Sequence, residues 1–227
     1  MDQDRVGMAY KGEQAAVYAG YQLVVTSGME AEIARRFRPM VGNDDVVLDF
    51  GCGGGGILAL LDCRLRIGVE VNPHAQAAAR AKGLAVKSSL DEIEPGSVDV
   101  VISNHALEHC TQPLMELRRI RDVLRPGGRI VLVLPLDDWR TQRHAIRGDV
   151  NRHLYAWTPL ILGNLLQEAG FAVDSVEIIR NVWPPRASRF LWERLPPRAF
   201  DMLGFTLSIL LKRRQLRAVA HPAVEGL

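Results

Sequence analysis

The sequence predicts an α/β fold, a three-layer sandwich in which a mostly parallel, doubly wound sheet is covered by helices on both faces. From residue 45 onward, short runs rich in Val, Ile and Leu alternate with longer amphipathic stretches, which is the pattern of buried parallel strands joined by helices. A cluster of glycines follows the first run directly, at 51–56. The 227 residues, 48% hydrophobic and 24% charged, are enough for one continuous core, and no long linker divides them.

The elements follow in order. Residues 13–40 read as one or two helices, which lie either across the carboxyl ends of the strands or on a sheet edge. Strands are predicted at 46–50, 66–70, 85–87, 98–103, 129–134 and 172–178, with a short last strand at 215–220.

The connecting helices carry start and stop signals. They are predicted at 57–61, 73–82, 113–124 and 159–168. Pro73 occupies a first helical turn, and Thr158 is a plausible N-cap. The glycines at 127 and 128 are expected to stop the helix at 113–124, and Gly170 the helix at 159–168. The chain is therefore expected to be a single domain, 1–227, with an N-terminal helical segment at 1–44 and an insertion at 183–214.

Composition excludes several classes of partner and location. The net charge of +2 provides no strong field for nucleic acid, so no nucleic-acid partner is expected. Cys52, Cys63 and Cys110 are odd in number and form no CxxC pair, which argues against a disulfide framework and a structural zinc site. Residues 1–12 do not resemble a secretory signal, and the longest apolar run, 202–211, is too short to cross a bilayer of roughly 30 Å. A cytoplasmic location is expected.

The glycine cluster is the main functional signal. Glycines between a buried strand and a helix remove Cβ atoms, permit positive φ and let backbone N–H groups approach a ligand. Glu70 ends the next strand, where a carboxylate can accept both hydroxyls of a ribose. A nucleoside therefore fits the site. Gly51, Gly53 and Gly56 also satisfy GxGxxG, so their spacing allows either a nicotinamide cofactor or S-adenosylmethionine.

Four blocks together resemble one family. Residues 47–53, Val-Leu-Asp-Phe-Gly-Cys-Gly, are similar to motif I of class I S-adenosylmethionine-dependent methyltransferases. Residues 68–70, 98–104 and 124–128 resemble that family's second motif, its fourth strand and the turn before its fifth, in the same order. The resemblance covers 45–135 closely and extends more loosely to 170. It implies S-adenosylmethionine as cofactor, methyl transfer as activity, and a last strand that is antiparallel.

The resemblance also implies a set of site residues. Gly51, Cys52 and Gly53 would line the methionine and ribose portion, Glu70 would hold the ribose hydroxyls, and Asp49 would brace the loop and the ligand ammonium through water. Val71 follows Glu70 in the same contact region. Where the family often places an acidic contact to the adenine amino group, this chain has Ser89 with Leu90 beside it, which leaves that contact open. Asn104 and His105 come at the end of the fourth strand, near the transferable methyl.

Two histidines are candidates for catalysis. Methyl transfer is a direct displacement that chiefly needs alignment and exclusion of water, and a hydroxyl acceptor is helped by a general base. His105 follows a strand at the edge where open α/β sheets bind ligands, and His153 lies in a mixed polar and aromatic segment after the fifth strand. The alternatives are backbone contact alone for His105, anchoring of the next helix for His153, and a local or cofactor-rim hydrogen bond for His109. No metal is expected, since Asn104, Asp137 and Asp138 are more typical of a solvated strand end than of a magnesium site.

The acceptor class is narrowed by what residues 104–107 lack. Asn-His-Ala-Leu is not the Asn/Asp-Pro-Pro-aromatic sequence that methylates nucleobase amino groups. A small metabolite, a sugar or glycan derivative, or a lipid-linked acceptor remains. Two other functions stay open: a non-catalytic partner protein that binds S-adenosylmethionine, and an NAD(P)-dependent oxidoreductase.

The insertion at 183–214 has two interpretations. It contains seven Lys or Arg residues against two acidic ones, together with an apolar stretch at 200–211. Such a segment can rest on an anionic membrane face or cradle a lipid-linked or phosphate-bearing acceptor. The favoured alternative is ordinary packing, as core or as a homodimer contact, with the arginines solvated.

Overall fold

The computed structural model describes residues 10, 12–26, 28–136, 144–180, 194–196, 198–199, 202–204, 206–207 and 214–223. Within these residues a seven-stranded sheet contains β1 Val46–Phe50, β2 Leu65–Val69, β3 Ala85–Lys87, β4 Val98–Asn104, β5 Leu124–Pro135, β6 Phe171–Arg180 and β7 Arg214–Pro222. The helices are α1 Gly12–Thr26, α2 Glu30–Phe37, α3 Pro73–Arg80, α4 Pro113–Val123 and α5 Pro159–Glu168.

The strand order is β3-β2-β1-β4-β5-β7-β6. Strands β1 to β5 pair in parallel, whereas β7 pairs antiparallel with both β5 and β6. The order reverses at β1, so the carboxyl ends of β1 and β4 flank the crevice where open α/β sheets bind ligands. The predicted doubly wound sheet and its antiparallel last strand are confirmed.

Both faces of the sheet are buried, which makes three layers. Alternate side chains of β1 enter different cores: Leu48 packs on the side of α4 and α5, and Val47 on the side of α2 and α3. In β5, Leu132 and Val133 divide in the same way. This alternation explains why the parallel strands read as continuous apolar runs in the sequence.

Of the two predicted positions for the N-terminal helices, the carboxyl ends of the strands and a sheet edge, α1 occupies the first. The Ala15 carbonyl of α1 accepts a hydrogen bond from Asn72 Nδ2 at 2.8 Å, and the Tyr18 hydroxyl lies 3.2 Å from His109 Nε2. Asn72 follows β2 and His109 follows β4, so α1 lies across the carboxyl ends of the strands. Among the described residues, no helix is long and apolar enough to span a membrane.

Two helix predictions are wrong in detail. The expected helix at 57–61 is only a 3₁₀ turn, Leu58–Leu60, because Leu61 is already extended and its buried side chain turns the chain toward β2. Gly127 and Gly128 do not stop α4, which ends at Val123, but lie within β5. A Cβ on Gly128 would lie 3.0 Å from the carbonyl oxygen of Asp99, so close approach to β4 explains that glycine.

Candidate active site

The glycine loop leaves β1 in a conformation that suits glycine. Gly51 has φ +74°, and its N–H donates to the Val69 carbonyl at 2.8 Å. A Cβ at Gly51 would lie 2.4 Å from the Cβ of Ala106, so no larger residue fits without displacement. Gly53 also has positive φ, +52°. The loop is thereby held against β2 on one side and the segment after β4 on the other.

Glu70 joins this loop to the end of β2. Its buried carboxylate accepts a hydrogen bond from Gly53 N–H through Oε2 and one from Asn72 N–H through Oε1, each at 2.8 Å. Burial raises the pKa of Glu70, and the backbone N–H groups of Asn72, Gly53 and Val71 partly offset that rise. A carboxylate oxygen has more than one lone pair, so each can still accept a ligand hydroxyl.

Asp49 is a second buried carboxyl beside the loop. It is 2% exposed on β1, and its Oδ2 has no hydrogen-bond partner among the described residues. Burial and, secondarily, the charge of Glu70 raise the pKa of Asp49 to about 7. The two carboxyls therefore make this end of the sheet favourable for a cationic ligand.

A pocket opens above the glycines. Its lining consists of the loop, the start of α3, the turn after α3 and the end of β4, with contributions from α1 and α2: Ala19, Glu30, Gly51, Cys52, Gly53, Gly54, Gly56, Ile57, Ala75, Lys82 and Asn104. The Cys52 thiol points away from a ligand, because a Cβ on Gly68 would lie 2.6 Å from its Sγ. Burial raises the pKa of that thiol, so Cys52 contributes backbone rather than a reactive sulfur.

The expected adenine-side residues lie after β2 and β3. Val71 follows Glu70 and is half-buried. Ser89 caps a 3₁₀ turn, its Oγ accepting a hydrogen bond from Asp91 N–H at 3.2 Å. Leu90 is 3% exposed and its side chain belongs to the core, so only its backbone remains for contact with a ligand.

The end of β4 holds the two residues expected near the methyl group. Asn104 lines the pocket, and its Oδ1 has no hydrogen-bond partner within the described part of the chain. His105 adopts a left-handed backbone, φ +56°, which is uncommon for a non-glycine residue and typical of functional sites. Its Nδ1 lies 3.5 Å from Glu108 Oε1, and its Nε2 lies 2.7 Å from Gln215 Nε2.

The hydrogen bonds of Gln215 determine which ring nitrogen of His105 carries the proton. Arg36 donates to Gln215 Oε1, which directs the amide nitrogen of Gln215 toward His105. An amide nitrogen only donates, so His105 Nε2 accepts and the ring proton is on Nδ1, facing Glu108. Both ring nitrogens of His105 are thus engaged by other side chains. Sequence reasoning missed this arrangement, because Gln215 is distant in the chain and carries no motif.

A second cluster brings together Glu108, His109 and His153. Each offers one donor atom, and these atoms lie within 4.8 Å of one another. Glu108 is fully buried, His109 is 7% exposed and His153 is half-buried. The rings of His109 and His153 are 5.1 Å apart in an edge-on arrangement. Of these three residues, only His153 was expected to act at the acceptor. His109 was expected to make a local or cofactor-rim hydrogen bond, and Glu108 was missed, although it follows a strand that ends at the ligand edge.

The aromatic residues of the N-terminal segment cover this cluster. Tyr10 packs edge-on against Tyr18, with ring centroids 4.9 Å apart, and its ring centroid is 6.0 Å from that of His109. The Tyr21 hydroxyl donates to Asn151 at 3.0 Å, two residues before His153. The cluster is therefore enclosed between α1 and the segment that carries His153. Asp137 and Asp138, considered as magnesium ligands, lie outside the described residues.

Comparison with known proteins decides between the cofactors that the glycine spacing allowed. A family model described as a methyltransferase domain matches residues 25–176. The chain belongs to the class I S-adenosylmethionine-dependent methyltransferases. A ubiquinone biosynthesis O-methyltransferase of Xanthomonas campestris is 33% identical to this methyltransferase over 101 residues, which cover 38% of the chain and 41% of that protein. The chain spans less than half the length of the first curated relatives it matches.

Solved structures share the fold of this methyltransferase. A Haloferax volcanii putative methyltransferase, in complex with the Trm112 activator, superposes with a TM-score of 0.69 at 20% identity, covering 94% of this chain and 99% of that chain. Burkholderia thailandensis 1,6-didemethyltoxoflavin-N1-methyltransferase, with S-adenosylhomocysteine bound, gives a TM-score of 0.62 at 20% identity, covering 92% and 85%.

The residues of this methyltransferase fit S-adenosylmethionine, its cofactor. Asp49 Oδ2 and Asn104 Oδ1 are acceptors without a partner in the described chain, and the cofactor presents ammonium and hydroxyl donors. Two buried carboxyls suit its cationic centres and would repel the pyrophosphate of a dinucleotide. The glycine loop also leads into a three-residue 3₁₀ turn rather than a helix whose N-terminus attracts phosphate.

Proposed function

We propose that this protein transfers the methyl group of S-adenosylmethionine to an oxygen atom of a small-molecule, sugar or lipid-linked acceptor. The observation that carries the proposal is the cluster of Glu108, His109 and His153. Two of its members follow Asn104 of the cofactor pocket by four and five residues. Imidazole and carboxylate groups at the reacting end of a methyltransferase are suited to removing the proton of a hydroxyl. The similarity to ubiquinone biosynthesis O-methyltransferases also supports oxygen as the acceptor atom.

The chain's residues have distinct functions in this proposal. When bound, the cofactor supplies a methyl carbon on a sulfonium that an acceptor oxygen can displace directly. Glu70 and the loop backbone hold the ribose of the cofactor, while Asp49 and Asn104 orient its ammonium group. The cluster at His153 lowers the cost of removing the acceptor proton, and the aromatic residues of α1 limit access of water.

Of the two predicted catalytic histidines, His153 is favoured over His105. The ring nitrogens of His105 face Glu108 and Gln215, and Arg36 fixes the orientation of that glutamine. His153 is half-buried, whereas Glu108 and His109 are buried, so it is the most exposed member of the cluster. We infer that His105 positions Glu108 and that His153 contacts the acceptor.

Turnover tests the proposal. The purified chain is incubated with S-adenosylmethionine and paired acceptors that differ only in a hydroxyl or an amine, and S-adenosylhomocysteine is measured. We expect product from hydroxyl acceptors only. His153→Gln should lower kcat by about 100-fold or more while leaving the Kd of S-adenosylmethionine unchanged. The matched control is His221→Gln on β7, whose side chain pairs with Asp174 far along the sheet.

Two results would contradict the proposal. If only the amine acceptors are methylated, the acceptor atom is nitrogen and the proposed transfer to oxygen is wrong. Tight binding of S-adenosylmethionine without turnover on any acceptor would instead favour the non-catalytic partner protein.

The segment 183–214 gives a second, weaker indication about partners. Most of it lies outside the described residues, but the side chains of Met202 and Leu203 are exposed by 73% and 41%. We propose that these exposed apolar side chains pack against a second copy of the chain rather than against a membrane. Sedimentation with anionic vesicles at low salt tests this, since lipid-dependent pelleting would favour peripheral membrane binding.

A further inference from the structure

We propose that Glu108, His109 and His153 bind a divalent transition-metal ion of the zinc class. Their three donor atoms lie within 4.8 Å of one another. An ion with bonds of about 2.0–2.2 Å brings its ligands to within about 3–4 Å of each other, so each side chain needs to move by less than about 1 Å. Two imidazoles and one carboxylate, with a fourth position left open, form a common ligand set of catalytic zinc sites.

The chemistry of the donors selects the ion. Imidazole nitrogens suit zinc, iron, cobalt and nickel, whereas Mg²⁺ prefers an octahedron of oxygens. The Glu108 carboxylate is fully buried, and a buried anion is costly unless cations compensate it. A dication held by Glu108 and two neutral imidazoles would be attracted strongly to this carboxylate.

The neighbouring groups orient these ligands. The Tyr18 hydroxyl lies 3.2 Å from His109 Nε2, which leaves Nδ1 as the nitrogen that would bind the ion. His105 Nδ1 lies 3.5 Å from Glu108 Oε1 and steadies the carboxylate. Hydrogen bonds from such groups fix the rings and strengthen metal binding.

The segment that carries His153 is attached to the turn that carries the other two ligands. The Leu154 N–H donates to the Glu108 carbonyl at 2.8 Å, and the Tyr155 hydroxyl donates to the Thr111 carbonyl at 3.0 Å. These two hydrogen bonds, made by the two residues directly after His153, attach its segment to the turn at 107–111. The ligands therefore come from two segments whose relative position is fixed.

The role of the metal in catalysis rests on the proposed function, methyl transfer to an acceptor oxygen. With the ion bound, His153 would act as its ligand rather than as a base. The ion would lower the pKa of an acceptor hydroxyl at the open position, and the proton would pass to water. The oxygen would then take the methyl group as the carbon–sulfur bond of the cofactor breaks, with the bonding electrons left on sulfur. The site thus favours acceptors that present a hydroxyl to the metal.

Metal binding is tested without acceptor or cofactor. The full chain is dialysed against a chelator and titrated with Zn²⁺ by calorimetry, and Co²⁺ absorption reports the ligand types. We expect one tight site per chain, no competition by Mg²⁺, and a cobalt spectrum without a thiolate charge-transfer band. His153→Gln and Glu108→Gln should weaken Zn²⁺ binding by about 100-fold or more, beyond the effect of changing a group that only orients a ligand. His221→Gln should bind as the wild type does.

Three results would overturn the metal site: no stoichiometric Zn²⁺ binding, equal binding by wild type and His153→Gln, or a thiolate band that identifies the cysteines as ligands. If Glu108→Gln fails to fold by circular dichroism, His109→Gln provides the same comparison. Turnover of chelated protein with undiminished rate, alongside absent Zn²⁺ binding, would refute the metal while leaving the proposed methyl transfer intact.

Discussion

Replacing Asp49 by Asn should stabilise the protein without cofactor, increasingly so as pH rises. Burial and the charge of Glu70 raise the pKa of Asp49 from its usual 3.8 to about 7. The folded state therefore favours the protonated carboxyl. Ionisation of Asp49 therefore destabilises the wild type. This loss of stability is small below the pKa of Asp49 in the unfolded state, grows with pH, and is complete above its pKa in the folded state.

The magnitude follows from the two pKa values. A tenfold change in an ionisation constant corresponds to about 1.4 kcal/mol, so raising the pKa from 3.8 to about 7 costs about 4 kcal/mol once the carboxyl is ionised. Urea unfolding between about pH 4 and about pH 8 measures this. The free energy of unfolding of Asp49→Asn, minus that of the wild type, should increase by about 4 kcal/mol over the range.

The control is Asp62→Asn, which changes an exposed aspartate on the loop before β2. Because this side chain is exposed, Asp62→Asn measures what the loss of an aspartate outside the buried site does under the same conditions. A difference between Asp49→Asn and wild type that stays constant with pH would refute the claim that Asp49 is held as a buried, uncompensated carboxyl. Saturating S-adenosylmethionine should narrow the difference in stability at pH 8, because the ionised carboxylate of the wild type attracts the cationic cofactor.

Three further changes test other parts of the account. Gly51→Ala introduces a Cβ 2.4 Å from that of Ala106 at φ +74°, and should cost at least about 1–3 kcal/mol in urea unfolding; near-wild-type stability would contradict the tight loop. Glu70→Gln should weaken binding of S-adenosylmethionine by about 1–3 kcal/mol in calorimetry, and an unchanged Kd would refute ribose binding by this carboxylate. Thr158→Ala removes the cap that accepts from Ile161 N–H and should cost about 1 kcal/mol of stability, while Thr158→Ser retains it; equal stabilities would show that the cap contributes nothing.

Local sequence signals were sufficient for much of the fold. The strand Val46–Phe50 and the helix Pro159–Glu168 have the predicted bounds, because a buried apolar run ending in glycine and a capped amphipathic stretch each specify their own limits. The β5 strand starts at Leu124, five residues earlier than predicted, since pairing of Leu124 with Val98 extends the chain there. That pairing is a tertiary contact with no local signal.

The candidate site was predictable where it depends on backbone and less so where it depends on distant side chains. The glycine loop and Glu70 follow from one strand, one turn and the next strand end. The hydrogen bond between His105 and Gln215 joins residues 110 positions apart, and neither residue type predicts this contact from the sequence. The grouping of Glu108 with His153 likewise depends on how the segment after β5 folds back onto the end of β4.

The central claim is that the glycine loop, with the buried carboxyls of Asp49 and Glu70, binds S-adenosylmethionine. The most direct test is calorimetry of the purified chain with S-adenosylmethionine, S-adenosylhomocysteine and NAD. Saturable binding of the first two compounds and none of NAD is the expected result. Binding of NAD together with no heat from either sulfur nucleoside would contradict the account.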